Sequence, residues 1–530
     1  MVGAMFFKPI HMMAIGLIVC MMTSCGTGSD RSDAGQLPTP TPIAPTATSG
    51  CTDTAPMVDL SNAVTAQCNA TDLTTKLSAG GQVRLSACNA PITLSQPIAV
   101  TSDTTFDAAG ATISGGGSSQ IFRVAKGKNF TIFNATLRDA LNGTDDGGAV
   151  SGAQFGNLTV INVRFLGNTS STVGGEDGGG AIYKAEGGKL TVFNSTFEGN
   201  TATNGGAIKA LLTNVQIIDS AFFGNTARGG NNGGGAVIVD GLEPTLVPWY
   251  APSGYTVNPY GKARICGALF KSNTVGGAYD FNNTGQQGGG LFTHTYPRAG
   301  PSLIELERSI FEANQSHSDG GAMRFGDGTV RVKNVIATGN TATNGGAVRF
   351  SNAVTASLSN TALIGNCATP TGVPCTQGYG SSNNVPSIIG GAGAAYDGTV
   401  NLQRVTIARN SSHVYSGGLG GAGFERGTLT NSLIVGNVAR GPYDNTHNCG
   451  NPMQSPSNSF EFPAAGGQSY DRGCGATPRD PSIAVIATAC DSIAGSSLTR
   501  AAFTVFQPGS AIARVAGVPS AGVVCPNQTP

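Results

Sequence analysis

The chain has 530 residues, of which 78 are glycine and 11% are charged, and its 30 Lys and Arg residues balance its 30 Asp and Glu residues. A net charge of zero supplies no field that would attract nucleic acid, so nucleic-acid binding is disfavoured. Amphipathic helical spacing is scarce while Val, Ile and Phe are frequent, which favours an all-β protein over a helical bundle or a disordered chain.

The first 24 residues have the pattern of an export signal. Lys8 precedes an apolar run over residues 13–22, and Cys25 follows shortly after it. An apolar core of about ten residues is too short to cross a bilayer. The segment resembles a bacterial lipoprotein signal, which implies a lipid on Cys25 and a location at the outer membrane or cell surface. An ordinary signal peptide cleaved nearby is the alternative.

The next segment, residues 25–50, is rich in proline and threonine, most densely over residues 37–46. Such a tract prefers extended polyproline II and cannot build a core. We therefore predict a spacer that separates the anchor from the folded part of the chain.

The cysteine content indicates an oxidising compartment. Of 12 cysteines, Cys20 lies in the signal and Cys25 is the expected lipid site, so an even number remains. An even number is typical of disulfide-bonded exported proteins, and no paired Cys-x-x-Cys motifs suggest a zinc site. Closeness along the chain suggests the pairs Cys68 with Cys88, Cys367 with Cys375, Cys449 with Cys474 and Cys490 with Cys525. The connectivity of Cys51 and Cys266 stays open.

A repeat fills the middle of the chain. Its first motif, Asn-x-x-Phe-x-x-Asn, covers residues 162–168 and 194–200, and later copies carry aliphatic residues in place of Phe. Its second motif is Gly-Gly-Ala followed by an aliphatic residue, as at Ile208 and Val348. Copies without insertions lie about 26 residues apart, which is typical of a solenoid.

A repeat of this length with paired glycines cannot supply two amphipathic helices, whereas three short strands joined by tight turns fit. We expect the Phe side chains to point inward and to stack from coil to coil, as with Phe197 and Phe222. Asn side chains at equivalent turn positions can form hydrogen-bonded ladders, and Gly-Gly allows the positive φ of tight corners. The repeat thus predicts an all-β chain with a single parallel β-helix.

The two motifs together, over roughly residues 90–440, resemble the repeats of chlamydial polymorphic outer membrane proteins and, more broadly, right-handed parallel β-helices of the pectate-lyase kind. The resemblance implies a right-handed β-helix over residues 98–440. An N-terminal cap over residues 51–97 would cover the first coil. Residues 441–530 are similar to a choice-of-anchor tail and would form a disulfide-bonded cap at the other end.

Insertions at two edges of the repeat carry the candidate functional residues. The first edge, between Phe-x-x-Asn and Gly-Gly-Ala, collects acidic and histidine side chains. Paired carboxylates there could cleave a glycosidic bond, and carboxylates with Ca²⁺ and a basic residue could eliminate across a uronate. Solvated turn residues are the other interpretation. The weak catalytic candidates on this edge are Glu176, Asp177, Asp280, His317 and Asp319.

The second edge, after the Gly-Gly-Ala strand, expands in two consecutive coils, over residues 240–264 and 293–303. Aromatic rings beside polar groups form platforms for sugar rings, although long loops also use aromatic residues as a small core of their own. If they bind a glycan, the contacts are expected to come from Trp249, Tyr250, Tyr255, Tyr260, His294, Tyr296 and Arg298.

These patterns favour a lipid-anchored surface protein without catalytic activity, an adhesin-like or glycan-binding display platform. The alternative is a polysaccharide lyase or glycoside hydrolase on the same fold, because this architecture hosts both. Convergence of three or more of the candidate carboxylates and basic residues in one groove would favour the enzyme. No cofactor or metal is expected, with Ca²⁺ needed only by a lyase. The expected partners are the outer membrane and a polysaccharide or cell-surface glycan.

Overall fold

The computed structural model describes residues 51–143, 146–174, 177–229, 233–245, 251–276, 286–296, 301–377, 388–441, 447–462 and 473–478. These residues form a parallel β-helix, which confirms the predicted all-β solenoid. Its described strands stack into three sheets of 24, 11 and 10 strands, and paired strands run parallel. The signal segment with Cys25, the spacer, Cys490 and Cys525 lie outside the described residues.

The first sheet contains the longest strands, some of which bend in the middle. Its strands are Val64–Ala66, Gly81–Leu85, Ile92–Thr93, Thr104–Asp107, Thr112–Ser114, Phe130–Arg138, Leu158–Leu166, Lys189–Phe193, Thr196–Glu198, Asn214–Ile218, Ala221–Phe223, Gly261–Cys266, Leu269–Lys271, Ser302–Glu307, Ile310–Glu312, Thr329–Lys333, Ile336–Thr338, Thr355–Ile364, Thr399–Ala408, Thr428–Thr430, Leu433–Val435, Gln454–Ser457, Phe460–Phe462 and Thr477–Pro478.

The second and third sheets are built from short strands. The strands of the second sheet are Ile98–Val100, Phe122–Val124, Val150–Gly152, Ile182–Ala185, Ile208–Leu211, Val237–Asp240, Leu291–His294, Met323–Gly326, Val348–Ser351, Gly393–Ala395 and Leu419–Gly420. Those of the third sheet are Leu141–Asn142, Thr169–Ser170, Thr201–Ala202, Thr226–Ala227, Thr274–Val275, Gln315–Ser316, Thr341–Ala342, Cys367–Ala368, Ser411–Ser412 and Val438–Ala439.

Between Leu141–Asn142 and Val438–Ala439, the coils pass through the three sheets in the same order. In one of the short coils, Thr201–Ala202 of the third sheet leads through a Gly-Gly corner to Ile208–Leu211 of the second sheet. The chain then enters the first sheet at Asn214–Ile218, bends, and leaves it through Ala221–Phe223. The coil therefore contains one complete copy of the repeat, with the Gly-Gly-Ala motif between the third and second sheets.

The corners explain two of the repeated residue types. Gly205 has a φ of +59°, and a Cβ there would lie 2.2 Å from the carbonyl oxygen of Ile208. A Cβ on Gly206 would lie 2.2 Å from the carbonyl oxygen of Gly235 in the next coil. At the bend of the first sheet, Asn194 and Asp219 have φ values of +45° and +47°, a region that Asn and Asp tolerate better than most residues.

The predicted column of inward Phe rings is confirmed. Adjacent ring centroids lie 4.6, 4.8, 4.8 and 4.5 Å apart, with the rings within 9° of parallel. Each ring is fully buried in the central core. Ala337, Leu363, Ile407 and Ile434 continue the column in register where the repeat loses its Phe. The stacked rings are Phe165, Phe197, Phe222, Phe270 and Phe311.

The second Asn of each repeat forms a buried ladder, as expected. The Asn225 side chain donates to Oδ1 of Asn273 at 2.9 Å and to the carbonyl oxygen of Phe197 at 3.1 Å. Its own Oδ1 accepts from the backbone and side-chain amides of Asn200 at 3.0 and 2.9 Å. The described rungs are Asn168, Asn200, Asn225, Asn273, Asn314, Asn340, Asn366, Asn410, Asn437 and Asn448.

A helix covers the N-terminal end of the solenoid. The helix Ala70–Ala79 begins after Asn69, whose side chain accepts from the backbone amide of Asp72 at 2.9 Å, and ends before Gly80 at a φ of +83°. Leu73 and Leu77 are fully buried in the central core. The helix therefore shields the apolar end of the first coil. Two further short helical segments are Glu243–Thr245, a 3-10 turn, and Ala422–Glu425.

Four disulfides link the described cysteines. Three are the expected pairs, Cys68 with Cys88, Cys367 with Cys375 and Cys449 with Cys474. The fourth joins the two cysteines whose partners the sequence left open, Cys51 and Cys266, across 215 residues. The expected pair of Cys490 and Cys525 lies outside the described residues.

The segment that begins at Cys51 runs along the flank of the solenoid, although the range 51–97 was expected to form the cap. Asp53 accepts from Arg264 Nε at 2.8 Å and from Gln216 at 2.9 Å, on the outer face of the first sheet. Further along, the backbone amide of Asn62 donates to Gln82 at 2.8 Å. Gln82 and Arg264 lie six rungs apart in one register column, about 29 Å at ~4.8 Å per rung.

Nine residue steps separate Asp53 from Asn62, and nine steps of extended chain span about 30 Å. The chain runs along the sheet and turns at its end, where the backbone amide of Ala63 donates to the carbonyl oxygen of Leu60 at 3.2 Å. We name residues 51–62 the strap, because a disulfide and an ion pair hold one end and the cap holds the other. Burial opposes ionisation of Asp53, but the hydrogen bonds and charge of Arg264 outweigh it and lower the pKa of Asp53.

The Phe column predicts a large loss of stability on truncation. Phe197→Ala should lower the free energy of unfolding by about 3 to 5 kcal/mol, because the ring is fully buried between two others. Phe223→Ala is the matched control, since this ring is half-buried one coil away. Chemical denaturation of both variants checks the difference. Equal, small losses would contradict the assigned inward position of Phe197.

Candidate functional site

The outer face of the second sheet brings together many of the charged and aromatic side chains of the solenoid. Along each strand, residues alternate between the core and this face. Ile182, Ile208 and Val237 point into the core, so their neighbours in sequence face outward. These neighbours align in register through ten coils, and we name them the outer row: Arg123, Ser151, Tyr183, Lys209, Ile238, Phe292, Arg324, Arg349, Ala394 and Gly420.

Near its N-terminal end, the outer row borders a cleft of about 220 Å³. We name it the aspartate cleft, because Asp146 is the carboxylate among its lining residues. The sequence analysis did not select Asp146. The remaining lining residues are Arg123, Ser151, Gly152, Gln154, Tyr183 and Ala185.

Asp146 is a carboxyl group with a raised proton affinity. Burial raises its pKa to about 6, against the opposing effect of a hydrogen bond from the backbone amide of Gly178 at 2.7 Å. The nearby charge of Asp177 raises this pKa further, and Lys209 lowers it. A carboxyl group with a pKa near the working pH can donate or accept a proton, as general acid catalysis requires.

Further along the row, Lys209 and Ile238 are fully buried. The Lys209 ammonium lies 3.8 Å from Oδ2 of Asp240. Oδ1 of the same carboxylate accepts from the hydroxyl of Tyr296 at 2.9 Å. Asp240 therefore connects the middle of the row to the aromatic residues that follow it.

A group of aromatic and guanidinium side chains occupies the C-terminal half of the row. Arg324 lies over the ring of Phe292 at 4.8 Å, and Arg349 lies over the ring of Tyr396 at 3.9 Å. Arg324 and Arg349 are direct neighbours in adjacent coils. We name these four residues the arginine cluster. Tyr396 keeps 36% of its surface exposed.

His294 and Tyr296 border the arginine cluster. Their rings lie 4.0 Å apart, and Nε2 of His294 lies 2.7 Å from Oδ2 of Asp327. Burial lowers the pKa of His294, although Asp327 acts in the opposite direction. Tyr296 keeps 38% of its surface exposed. Two of the predicted glycan-binding residues thus lie together, next to two arginines that the sequence analysis did not select.

Tyr255, by contrast, belongs to a separate corner. Its hydroxyl donates to Oε1 of Glu243 at 2.5 Å and accepts from the backbone amide of Gly188 at 2.6 Å. Its ring packs edge-on against Phe155 at 5.1 Å. Burial and the bond to Glu243 raise the pKa of Tyr255 to about 12. These contacts indicate that Tyr255 packs its loop against the solenoid.

The other residues of the predicted aromatic platform are exposed or lie outside the described residues. Tyr260 is 69% exposed, and its backbone groups bond to Asn214 and Asn258. The remaining members of the predicted platform, Trp249, Tyr250 and Arg298, lie outside the described residues.

The described candidates on the acidic edge lie at two separate places along the axis. Asp177 precedes Ile182–Ala185 and Asp319 precedes Met323–Gly326, four coils later in the second sheet, which corresponds to about 19 Å along the axis. Asp177 influences Asp146, whereas Asp319 lies 3.5 Å from Arg349. His317 lies on the same turn as Asp319, and its carbonyl oxygen accepts from Thr343. Glu176 and Asp280 lie outside the described residues.

A sequence signal for the arginine cluster did exist. Arg324 and Arg349 both stand two residues after the Ala of a Gly-Gly-Ala motif. In a β-strand, that position faces away from the preceding core residue. The sequence analysis selected residues in insertions, whereas this position lies in the regular part of the repeat.

In the described part of the chain, no set of three or more His, Cys, Asp and Glu side chains is arranged to bind a metal ion. No described helix has the length and apolar character needed to cross a membrane. Comparison of the chain with protein-family models, curated proteins and solved structures finds no match.

The raised pKa of Asp146 predicts a change in the pH dependence of stability. The folded state binds this proton more tightly than the unfolded state, so the contribution to stability is full below about pH 4 and is lost as pH rises through about 6. Asp146→Asn should therefore stabilise the protein at pH 8 relative to wild type, and little at pH 4. We expect about 1 to 2 kcal/mol, reduced from the full linkage value because the carboxyl is partly exposed.

Denaturation of wild type and Asp146→Asn at both pH values measures this difference. Asp139→Asn is the control, because that carboxylate is partly exposed beside Arg138. An Asp146→Asn protein whose stability differs from wild type by the same amount at pH 4 and pH 8 would show that Asp146 titrates normally.

Proposed function

We propose that the protein is a glycan-binding β-helix held at a bacterial cell surface by a lipid on Cys25. The arginine cluster, bordered by His294 and Tyr296, is the observation that carries this proposal. Aromatic rings offer apolar faces to sugar rings, and planar guanidinium groups offer several hydrogen-bond donors to hydroxyl and acidic groups. The right-handed sense of the coils and a kinship with pectate-lyase-like and chlamydial surface β-helices are parts of the same proposal.

The scaffold suits recognition of a repeating polymer. The outer row places one side chain in each coil, about 4.8 Å apart, on a sheet whose strands are fixed by neighbours on both sides. Lys209 and Ile238 are fully buried, so a ligand would contact the row mainly at Arg123 and Tyr183. It would also contact Tyr296 and Tyr396 beside the row, and it would require little rearrangement of the protein, because packing already orders these side chains. A polysaccharide or a cell-surface glycan is an extended polymer of this kind.

Export is supported by independent features. The sequence resembles that of a surface lipoprotein in three features: the signal-like segment, the cysteine at position 25 that follows it, and the Pro/Thr spacer. The four disulfides in the described residues also suit an exported chain, because disulfides persist in oxidising compartments and are rare in the cytosol.

A second candidate function, glycosidic cleavage, is favoured by Asp146. A carboxyl with a pKa of about 6 in a cleft next to Asp177 has the properties of a general acid. In this alternative, Arg123 and Tyr183 of the same cleft would position the substrate. The nearest row members of the two sites, Tyr183 of the cleft and Phe292 of the arginine cluster, lie three coils apart, so binding and cleavage would use separate parts of the outer row.

A glycan array tests the binding function. The chain carrying Cys25→Ala, which needs no membrane, should bind a subset of glycans, and Tyr296→Ala and Tyr396→Ala should each weaken that binding by about 1 to 2 kcal/mol, or roughly 5- to 30-fold. Tyr260→Ala is the matched control, because this exposed tyrosine belongs to the loop of Tyr255. Thermal melts of every variant identify any loss that arises from unfolding.

The outcomes separate the two functions. Weaker binding by the Tyr296 and Tyr396 variants with unchanged melting supports glycan recognition, and an array without any bound glycan contradicts it. Shortening of a bound polysaccharide by wild type, abolished in Asp146→Asn, would show instead that the protein is a glycosidase.

The anchor is tested by fractionation of cells. Wild type should sediment with the outer membrane, whereas Cys25→Ala should be released in soluble form, because two acyl chains hold a protein stably and their loss leaves no other anchor in this proposal. Cys20→Ala is the control, since it alters a cysteine within the signal segment without removing the lipid site. Continued sedimentation of the Cys25→Ala protein would exclude the lipoprotein assignment.

A further inference from the structure

Arg324 and Arg349 are buried cations whose hydrogen-bonding capacity is largely unused. Their residues are 8% and 9% exposed. Nε and Nη1 of both side chains are buried and have no hydrogen-bond partner among the described residues. Parallel register places the two residues side by side in adjacent coils. The fold therefore holds two like charges next to each other without the acceptors that such groups normally have.

The surrounding carboxylates compensate only in part. Oδ2 of Asp319 lies 3.5 Å from Nε of Arg349, within ion-pair distance but without hydrogen-bond geometry. The same carboxylate accepts from the side chain of Asn344 at 3.2 Å. Asp327 is held by His294 at 2.7 Å. Among the described residues no carboxylate lies within ion-pair distance of Arg324. An unpaired buried polar group destabilises the folded state, and a charged one does so more strongly, so a purely structural role does not account for Arg324.

The packing holds the guanidinium groups in fixed planes. Phe292 lies beneath Arg324 and Tyr396 beneath Arg349, at 4.8 and 3.9 Å. Gly326 leaves room for Arg324, because a Cβ at that position would lie 2.2 Å from Nη1. A guanidinium group that stacks on a ring keeps its N–H groups directed along its edges, which is the geometry that binds two oxygens of one acidic group.

We propose that Arg324 and Arg349 form a binding site for the oxyanion of an acidic glycan, the carboxylate of a uronic acid or the sulfate of a sulfated sugar. The two oxygens of the acidic group accept hydrogen bonds from the guanidinium edges, and the sugar ring lies against Tyr396 or Tyr296. The sugar part of this assignment rests on the proposed function, whereas the oxyanion part rests on the two arginines alone. The proposal limits the ligands to glycans that carry negative charge.

Direct titration tests the oxyanion part. At low ionic strength, the Cys25→Ala chain should bind sodium glucuronate or N-acetylglucosamine 6-sulfate, and it should not bind glucose. Arg324→Gln and Arg349→Gln should each weaken acid binding at least about tenfold, since each removes hydrogen bonds to a charged group. The matched control is Arg331→Gln, because that side chain is exposed on the first sheet. Added salt should weaken binding in wild type.

Thermal melts in the same samples control for folding. Without ligand, Arg324→Gln should melt no lower than wild type, because it removes an unpaired buried charge. Ligand should raise the melting temperature of wild type and of Arg331→Gln, and it should leave that of Arg324→Gln unchanged. Gly326→Ala, which displaces the Arg324 side chain and keeps its charge, should also lose binding. Equal acid binding by wild type and by both arginine variants would overturn the proposal.

The other outcomes distinguish this site from the proposed function. Neutral glycans that bind on the array through Tyr296, without any acid binding in the titration, would remove the oxyanion site and keep glycan recognition. Inorganic phosphate that binds as tightly as glucuronate, with no glycan on the array, would keep an oxyanion site, remove its sugar and contradict the proposed function.

Discussion

The structure depends on one constraint, that each residue of a parallel solenoid stands on the equivalent residue of the next coil about 4.8 Å away. A residue type that repeats must therefore be able to contact itself. Asn meets this condition, because its amide both donates and accepts, and a buried ladder of Asn side chains follows. Phe meets it through ring stacking. The Phe and the second Asn of the Asn-x-x-Phe-x-x-Asn motif are thus residues whose side chains can form columns.

The same constraint gives the outer row its significance. Like charges in one column repel each other, so a repeat that served the fold alone would avoid them. On the first sheet, charged neighbours in one column have opposite signs: Arg264, Glu305 and Arg331 occupy successive rungs, and Lys271 stands beside Glu312. In the outer row, Arg324 and Arg349 occupy successive rungs instead. Two adjacent arginines depart from the avoidance of like charges in one column. Such departures from what folding favours are typical of functional sites.

The columns could be predicted from sequence because they are periodic, and Phe197, Phe222 and the Asn of each repeat lie where the pattern placed them. Contacts between residues of different coils that no motif connects could not be predicted from the sequence. Cys51 and Cys266 are distant in sequence, and their pairing depends on a strap whose path carries no motif. Asp177 and Asp319 share an edge of the repeat but stand four coils apart. The repeat pattern predicts where a residue lies around the coil. It does not predict how far apart two residues lie along the axis, or whether neighbouring loops bury them, and these required the structure.

The strap determines where a mechanical load enters the solenoid. Tension on the chain ahead of Cys51 passes through the disulfide directly to Cys266, in the first-sheet strand Gly261–Cys266. The residues between these two cysteines form a covalently closed loop, so such tension does not peel the N-terminal coils from the end one hydrogen bond at a time. It pulls instead on a strand that has paired neighbours on both sides, with the many bonds of that strand sharing the force. Under such tension the load would enter through the flank of the solenoid at Cys266, before it reaches the N-terminal cap.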